Sequence, residues 1–153
     1  MRLLTVLAAA AAAISVSVPI ATAIPPTHEP VSFADRTFSG QCSFDVRREV
    51  LVNRSVRTTF SNGNRLTTGT FKERLTNLST GEFIDVNASG PILAVFHPDG
   101  SSTEYLRGRQ FVRPFNQLLI TTGRVILERD PAGVIIGFTQ VGGTSQDVCE
   151  LLG

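Results

Sequence analysis

The sequence predicts an all-β domain: a small antiparallel β-barrel of about eight or nine short strands, closed by a short C-terminal helix. Three observations carry this. Past residue 23 the chain is poor in Ala and rich in Gly, Thr, Val and Phe, a composition that favours strands over helices. Short apolar runs of even spacing alternate with turn-forming residues at short intervals. Two cysteines, Cys42 and Cys149, lie near the two ends of that region. A two-sheet β-sandwich is the runner-up, because it buries alternate residues in the same way.

The N-terminus is set aside first. Met1 and Arg2 precede the apolar run Leu3 to Ile14, Pro19 breaks it, and Ala21-Thr22-Ala23 has the small-x-small form of a cleavage site. This is the layout of a secretory signal peptide over residues 1–23, and the apolar run is too short for a membrane span. Cleavage leaves no segment for stable membrane insertion. Of the 14 Lys and Arg in the 153 residues, Arg2 leaves with the signal, so 13 basic side chains face 13 acidic ones. A neutral chain of this kind is not a nucleic-acid binder, nor an acidic disordered tail. In an exported protein the even cysteine pair reads as a disulfide, which requires Cα atoms within about 7 Å.

Residues 24–36 carry Pro25, Pro26 and Pro30, which deny the stretch a helix or a central strand. It reads as an extended, mobile leader before a single domain over 37–153. Phe38, Cys42, Phe44 and Val46 have the even spacing of one strand face, continued by Val50 and Val52. Val56 to Phe60 and Leu66 to Leu75 flank Ser61-Asn62-Gly63-Asn64, a hairpin signal. Phe83 to Ala88, Ile92 to Phe96 and Thr103 to Phe111 follow, separated by Ser89-Gly90-Pro91 and Pro98-Asp99-Gly100. Leu118 to Thr121, Val125 to Arg129 and Val134 to Phe138 then read as successive hairpins through Thr122-Gly123 and Asp130 to Gly133. That arrangement places Leu118, Leu127 and Ile136 in one row and Ile120, Val125 and Phe138 in a second. Leu119, Ile126 and Ile135 point to the opposite face and need a cover. A helix capped by Ser145, with Val148, Leu151 and Leu152 at helical spacing, is the nearest one. A self-association interface or a partner patch is the alternative.

Chemistry-bearing motifs are few. No nucleophile elbow, zinc-binding helix motif or phosphate loop occurs. His97 with Asp99 makes two metal ligands at most, so no metal site and no cofactor is expected. His97 and Glu104 flank the 98–100 turn and are the only candidates for an acid–base pair. Tyr105, Arg107, Arg109, Phe111 and Arg113 alternate onto one strand face, where guanidiniums between aromatics would meet an anionic ligand. Sequons at Asn53, Asn77 and Asn87 are expected to be unmodified, since the Ala-rich signal and the use of Arg over Lys look bacterial.

The run Cys42 to Val46, the Phe60-to-Thr70 hairpin, Thr76 to Gly81, Ser89-Gly90-Pro91, Leu119 to Arg124 and Gly142 to Cys149 together resemble a family of small, uncharacterised secreted actinobacterial proteins. The resemblance spans about 40–152 and rests on turns and the cysteine pair. It implies a fold and no catalytic residue. The expected function is a secreted, non-enzymatic binding module for a small apolar ligand in the barrel or for a protein partner. The alternatives are a small barrel enzyme of the cyclase, isomerase or hydrolase type using His97 and Glu104, and an envelope protein self-associating through Leu119, Ile126 and Ile135.

Overall fold

A computed structural model describes residues 24–153; the expected signal peptide lies outside the described residues. The chain begins with β1 (Thr27–Pro30) and β2 (Arg36–Phe38), then the long β3 (Val46–Thr59) and β4 (Arg65–Asn77). β5 (Phe83–Asn87), β6 (Ile92–Phe96), β7 (Ser102–Arg107) and β8 (Gln110–Val112) follow. The chain ends with β9 (Leu119–Thr121), β10 (Arg124–Arg129), β11 (Ile135–Gly142), β12 (Ser145–Asp147) and the helix α1 (Val148–Leu152). All strand pairs are antiparallel.

The large sheet has the order β1-β3-β4-β6-β7-β10-β11, with β2 added beside β3 and β5 beside β4. Its end strands, β1 and β11, do not pair with each other, so the described residues form no closed barrel. β1 ends the sheet because it is short and closes on Pro30, which cannot donate to a ladder. The leader is therefore extended, as its prolines require, but it is paired with β3 rather than free.

The β3–β4 hairpin organises the rest. Gly63 takes φ +83° at its tip, and the Asn62 carboxamide accepts from the Asn64 N–H. A bulge at Leu51 divides the hairpin. The half toward Val46 and Asn77 carries β2 and β5, and the half toward the tip carries β1 and β6.

Phe38, Cys42, Phe44 and Val46 do not form one strand. Gly40 at φ +80° turns the chain, β2 folds back so that Phe38 opposes Val46, and Cys42 sits in the connecting loop. From there it reaches Cys149 of α1, with Cα atoms 5.3 Å apart, and the disulfide expected from the sequence is present. The helix is capped by Asp147, whose carboxylate accepts the Cys149 N–H at 2.7 Å, and not by Ser145, which lies in β12.

The largest departure from the expected fold concerns β9. It does not form a hairpin with β10. It lies between β8 and β12 in a separate three-stranded sheet, and β10 pairs instead with β7 and β11. Every residue from Leu118 to Thr121 is buried. Leu118 and Ile120 join one core with Phe38, Val46, Leu75 and Val148, whereas Leu119 joins another with Leu106, Val112, Val125 and Leu127. β9 thus has a core on each face, and that explains its unbroken apolar run.

The expected rows change accordingly. Leu127 opposes Phe138 and Val125 opposes Gln140, because a bulge after Glu128 shifts the register, and Ile136 is left 58% exposed. Leu119, Ile126 and Ile135 form no common ridge. Leu119 is buried, Ile135 packs against the second core, and Ile126 lies on the outer face of the large sheet, opposite Tyr105. The helix covers Leu118 and Ile120 through Val148 and Leu152, with the Val148 N–H donating to the Leu118 carbonyl at 2.9 Å.

Asn77 fastens the end of α1, since its buried amide donates to the Leu152 carbonyl at 2.8 Å while its oxygen accepts from Ser79. Gly90 marks a close approach of a different kind. A Cβ at this position would overlap the carbonyl oxygen of Arg107, which is backbone and cannot swing aside. Gly90→Ala is expected to lower stability by about 1–3 kcal/mol, the cost of overpacking, measured as a shift of the urea midpoint.

Candidate functional site

The large sheet presents two concave spaces, one on each face. On the outer face, Leu66, Leu93, Tyr105 and Ile126 lie in one cross-strand row over β4, β6, β7 and β10. They line a groove of about 490 Å³ with Pro91 and Val141, and Arg107 opposes Arg124 across its end. Of the residues singled out in the sequence, Tyr105 and Arg107 belong here.

Arg109 and Phe111 do not. Gly108, at φ +81°, ends β7 and sends the chain into the small sheet, so 105 to 113 is two strands and not one face. Phe111 packs against the Phe38 ring at 5.6 Å between centroids, and Arg109 is exposed in the connection between β7 and β8.

His97 and Glu104 are also separated. The His97 ring meets the Thr103 hydroxyl at 2.9 Å. Glu104, the next residue along, points to the opposite face and pairs with Arg129 at 3.1 Å. They make no acid–base pair. Asp99 accepts from both the N–H and the hydroxyl of Ser101, the turn-forming role its neighbours suggested, and this holds its carboxyl below the usual carboxylate range. Among the described residues no group of three or more His, Cys, Asp or Glu could hold a metal ion.

The second space lies inside, between β2 and β3 on one side and β6, β7, β10 and β8 on the other. It is a cavity of about 330 Å³ whose apolar lining includes Phe38, Ile92, Leu106, Phe111, Leu127 and Ile135. An adjoining hollow of about 110 Å³ shares Arg48, Ile92, Gln110 and Phe111 with it and is lined by Glu73 as well.

Arg48 of this cavity and Glu73 of the adjoining hollow occupy positions that alternation reserves for the core. Val46, Arg48 and Val50 form one inward file of β3, and Phe71, Glu73, Leu75 and Asn77 form the adjoining file of β4. Arg48 therefore interrupts an apolar file, and Glu73 places a carboxyl in a file shared with Phe71, Leu75 and Asn77, a signal that is present in the sequence once the strand limits are known.

Glu73 is 2% exposed, and burial pushes its carboxyl up to about 7 even though Arg48, 3.7 Å away, pulls it down. The Arg48 guanidinium donates to the Ala34 carbonyl, but its buried Nε has no hydrogen-bond partner. Directly across the β2–β3 ladder stands Arg36. Arg113 lies over the Phe38 ring at 4.7 Å, where its own partial burial first, and then Arg36 and Arg48, lower its affinity for a proton. Among the described residues neither Arg36 nor Arg113 has a carboxylate within ion-pair distance.

The two arginine pairs differ in consequence. Arg107 and Arg124 are both exposed, and a few ångströms of separation in water costs them under about 1 kcal/mol. Arg36 is exposed as well, but Arg48 is half-buried, so the repulsion between these two is less fully screened by water. Convergent polar groups, a perturbed carboxyl and an apolar wall make the inner cavity the candidate site. Comparison with protein-family models, with curated proteins and with solved structures finds no match for this chain.

Proposed function

We propose that this chain is an exported, non-enzymatic binding module that holds a small, largely apolar ligand in the inner cavity. The observation that carries this reading is the cavity itself, about 330 Å³, lined by seven apolar side chains together with Arg36, Arg48, Gln110, Arg113 and the Glu104–Arg129 pair. That combination is characteristic of small-molecule sites. In this reading the coiled large sheet and the small sheet over it act as an incomplete barrel with the cavity inside. The Cys42–Cys149 disulfide is consistent with an oxidising compartment, and no described helix is long and apolar enough to cross a membrane.

Native mass spectrometry of the protein purified from its own culture medium tests the proposal. The expected spectrum shows a chain beginning at Ile24, two hydrogens lighter than the dithiol, carrying a small molecule that is lost on denaturation. A protein that is ligand-free from its own medium and binds no apolar compound contradicts it. The self-association reading loses support from Leu119, which is buried under β9's neighbours and unavailable to a second copy.

An enzyme remains the second reading, and Glu73 is the residue that favours it. A carboxyl held near 7 beside a cavity suits general acid–base chemistry better than His97 and Glu104 do. Chemical change in a ligand recovered after incubation with the protein, abolished by Glu73→Gln, would select this reading over simple binding.

A further inference from the structure

We infer that the ligand is an amphiphile with an anionic head group, and that Arg36, Arg48 and Arg113 form the site for that head while the apolar wall takes its body. The inference rests on the cavity being the binding site and deepens it by naming the class of ligand. Three observations converge. Arg36 and Arg48 oppose each other directly on one sheet face, an arrangement that destabilises a ladder unless something neutralises it. Arg113 approaches from the end of the small sheet, over Phe38, and senses both charges. Among the described residues Glu104 pairs with Arg129, and Asp35, which accepts from the Val50 N–H, makes no ion pair with any of the three arginines.

Glu73 does not fill the gap. Its carboxyl stands 3.7 Å from the Arg48 Nε, beyond hydrogen-bond distance, so that nitrogen remains an orphan donor. A carboxylate or phosphate has the planar or tripodal acceptors that guanidinium forks match, and placed among the three it would relieve their mutual repulsion. Phe38, Phe111, Ile92, Leu106 and Leu127 supply the apolar surface of the cavity, and its remaining cation, Arg129, is paired with Glu104. A head at the arginines with a hydrocarbon body against these side chains satisfies both halves of the cavity. Of the arginines singled out in the sequence, Arg113 is one of the three, whereas Arg107 and Arg109 are not.

Isothermal titration with four probes of equal chain length tests the inference on the full disulfide-bonded protein: decanoate, decyl phosphate, decanol and decyltrimethylammonium. The expected result is binding of decanoate or decyl phosphate about tenfold or more tighter than decanol at low salt, with no binding of the cation. Whichever anion binds tighter identifies the oxyanion. Arg36 and Arg113 are exposed and their removal relieves like-charge repulsion, so the double variant Arg36→Gln/Arg113→Gln is expected to unfold no earlier than wild type. It should lose about tenfold in affinity for the anions while its affinity for decanol is unchanged. Equal affinity for anion and alcohol overturns the head-group assignment and leaves the cavity reading standing. Failure of all four probes to bind overturns both.

Discussion

Replacing Cys42 and Cys149 together by Ala lowers the stability of the oxidised domain by about 4 kcal/mol, with a fall in melting temperature on the order of 10–20 °C. The bond spans 107 residues, so its loss frees nearly the whole domain in the unfolded state. The native state loses as well. α1 is a five-residue helix, too short to persist without tertiary support. It contributes Val148 and Leu152, both fully buried, to the core that holds Leu118 and Ile120. Asn77 and the Val148 N–H are its other tethers. Once the cross-link is gone, fraying of α1 exposes one face of β9. Urea unfolding of the variant and of dithiothreitol-treated wild type should agree. A loss under about 1 kcal/mol in both would show that the pin is incidental to the fold.

Wild type and Glu73→Gln should differ in stability by an amount that changes with pH. The Glu73 carboxyl is raised to about 7 in the folded chain from an ordinary value of 4.5. Between those values the folded state binds the proton and the unfolded state releases it. The stability contributed by the protonated group is therefore complete below 4.5 and is lost as pH rises through 7. A shift of this size amounts to about 3 kcal/mol. The wild-type advantage over Glu73→Gln is expected to shrink by that amount between pH 4 and pH 8, on the order of the full linkage. Asp85, held low by the Arg74 guanidinium, and Asp99 titrate in the opposite direction. Both are common to the two proteins and cancel in the comparison. A difference that is flat with pH would mean that Glu73 is ionised and fully compensated by Arg48.

The sequence makes some of this legible and hides the rest for a physical reason. Local chemistry speaks plainly. Asn62-Gly63, Pro98-Asp99-Gly100 and Asp130 to Gly133 are turns, residues 148–152 are helical, and Cys42 meets Cys149. Pairing between distant strands does not speak locally. The Thr122-Gly123 reversal looks like a tight hairpin, yet Gly123 accepts from Gly108 while Thr122 and Thr144 bond to each other, and β9 leaves for the small sheet. The all-apolar face around Leu119 is the trace of that burial on both sides, and a helix on one side is not the only way to produce it.

The site was hidden by the same dependence on long-range pairing. Arg48 and Glu73 read as ordinary surface charges until β3 and β4 are known to run past them. Arg36 acquires its role only because Gly40 folds β2 back onto β3. By contrast, alternation through 105–113 suggests a convergent face that the Gly108 break removes. Tyr105 and Arg107 stay together on the outer groove, and Phe111 and Arg113 go to the inner cavity.

Whether the ligand occupies the inside or the outside of the sheet can be settled by one titration followed in methyl and aromatic NMR spectra. The chain has a single tyrosine, Tyr105, and it lines the outer groove with Leu66, Leu93 and Ile126. Ile92, Leu127 and Ile135 line the inner cavity and not the groove. On adding decanoate the inner methyls should shift in saturable fashion while Tyr105, Leu66 and Leu93 stay in place. Shifts centred on Tyr105 and its row, with Ile92 and Leu127 unmoved, would contradict the account.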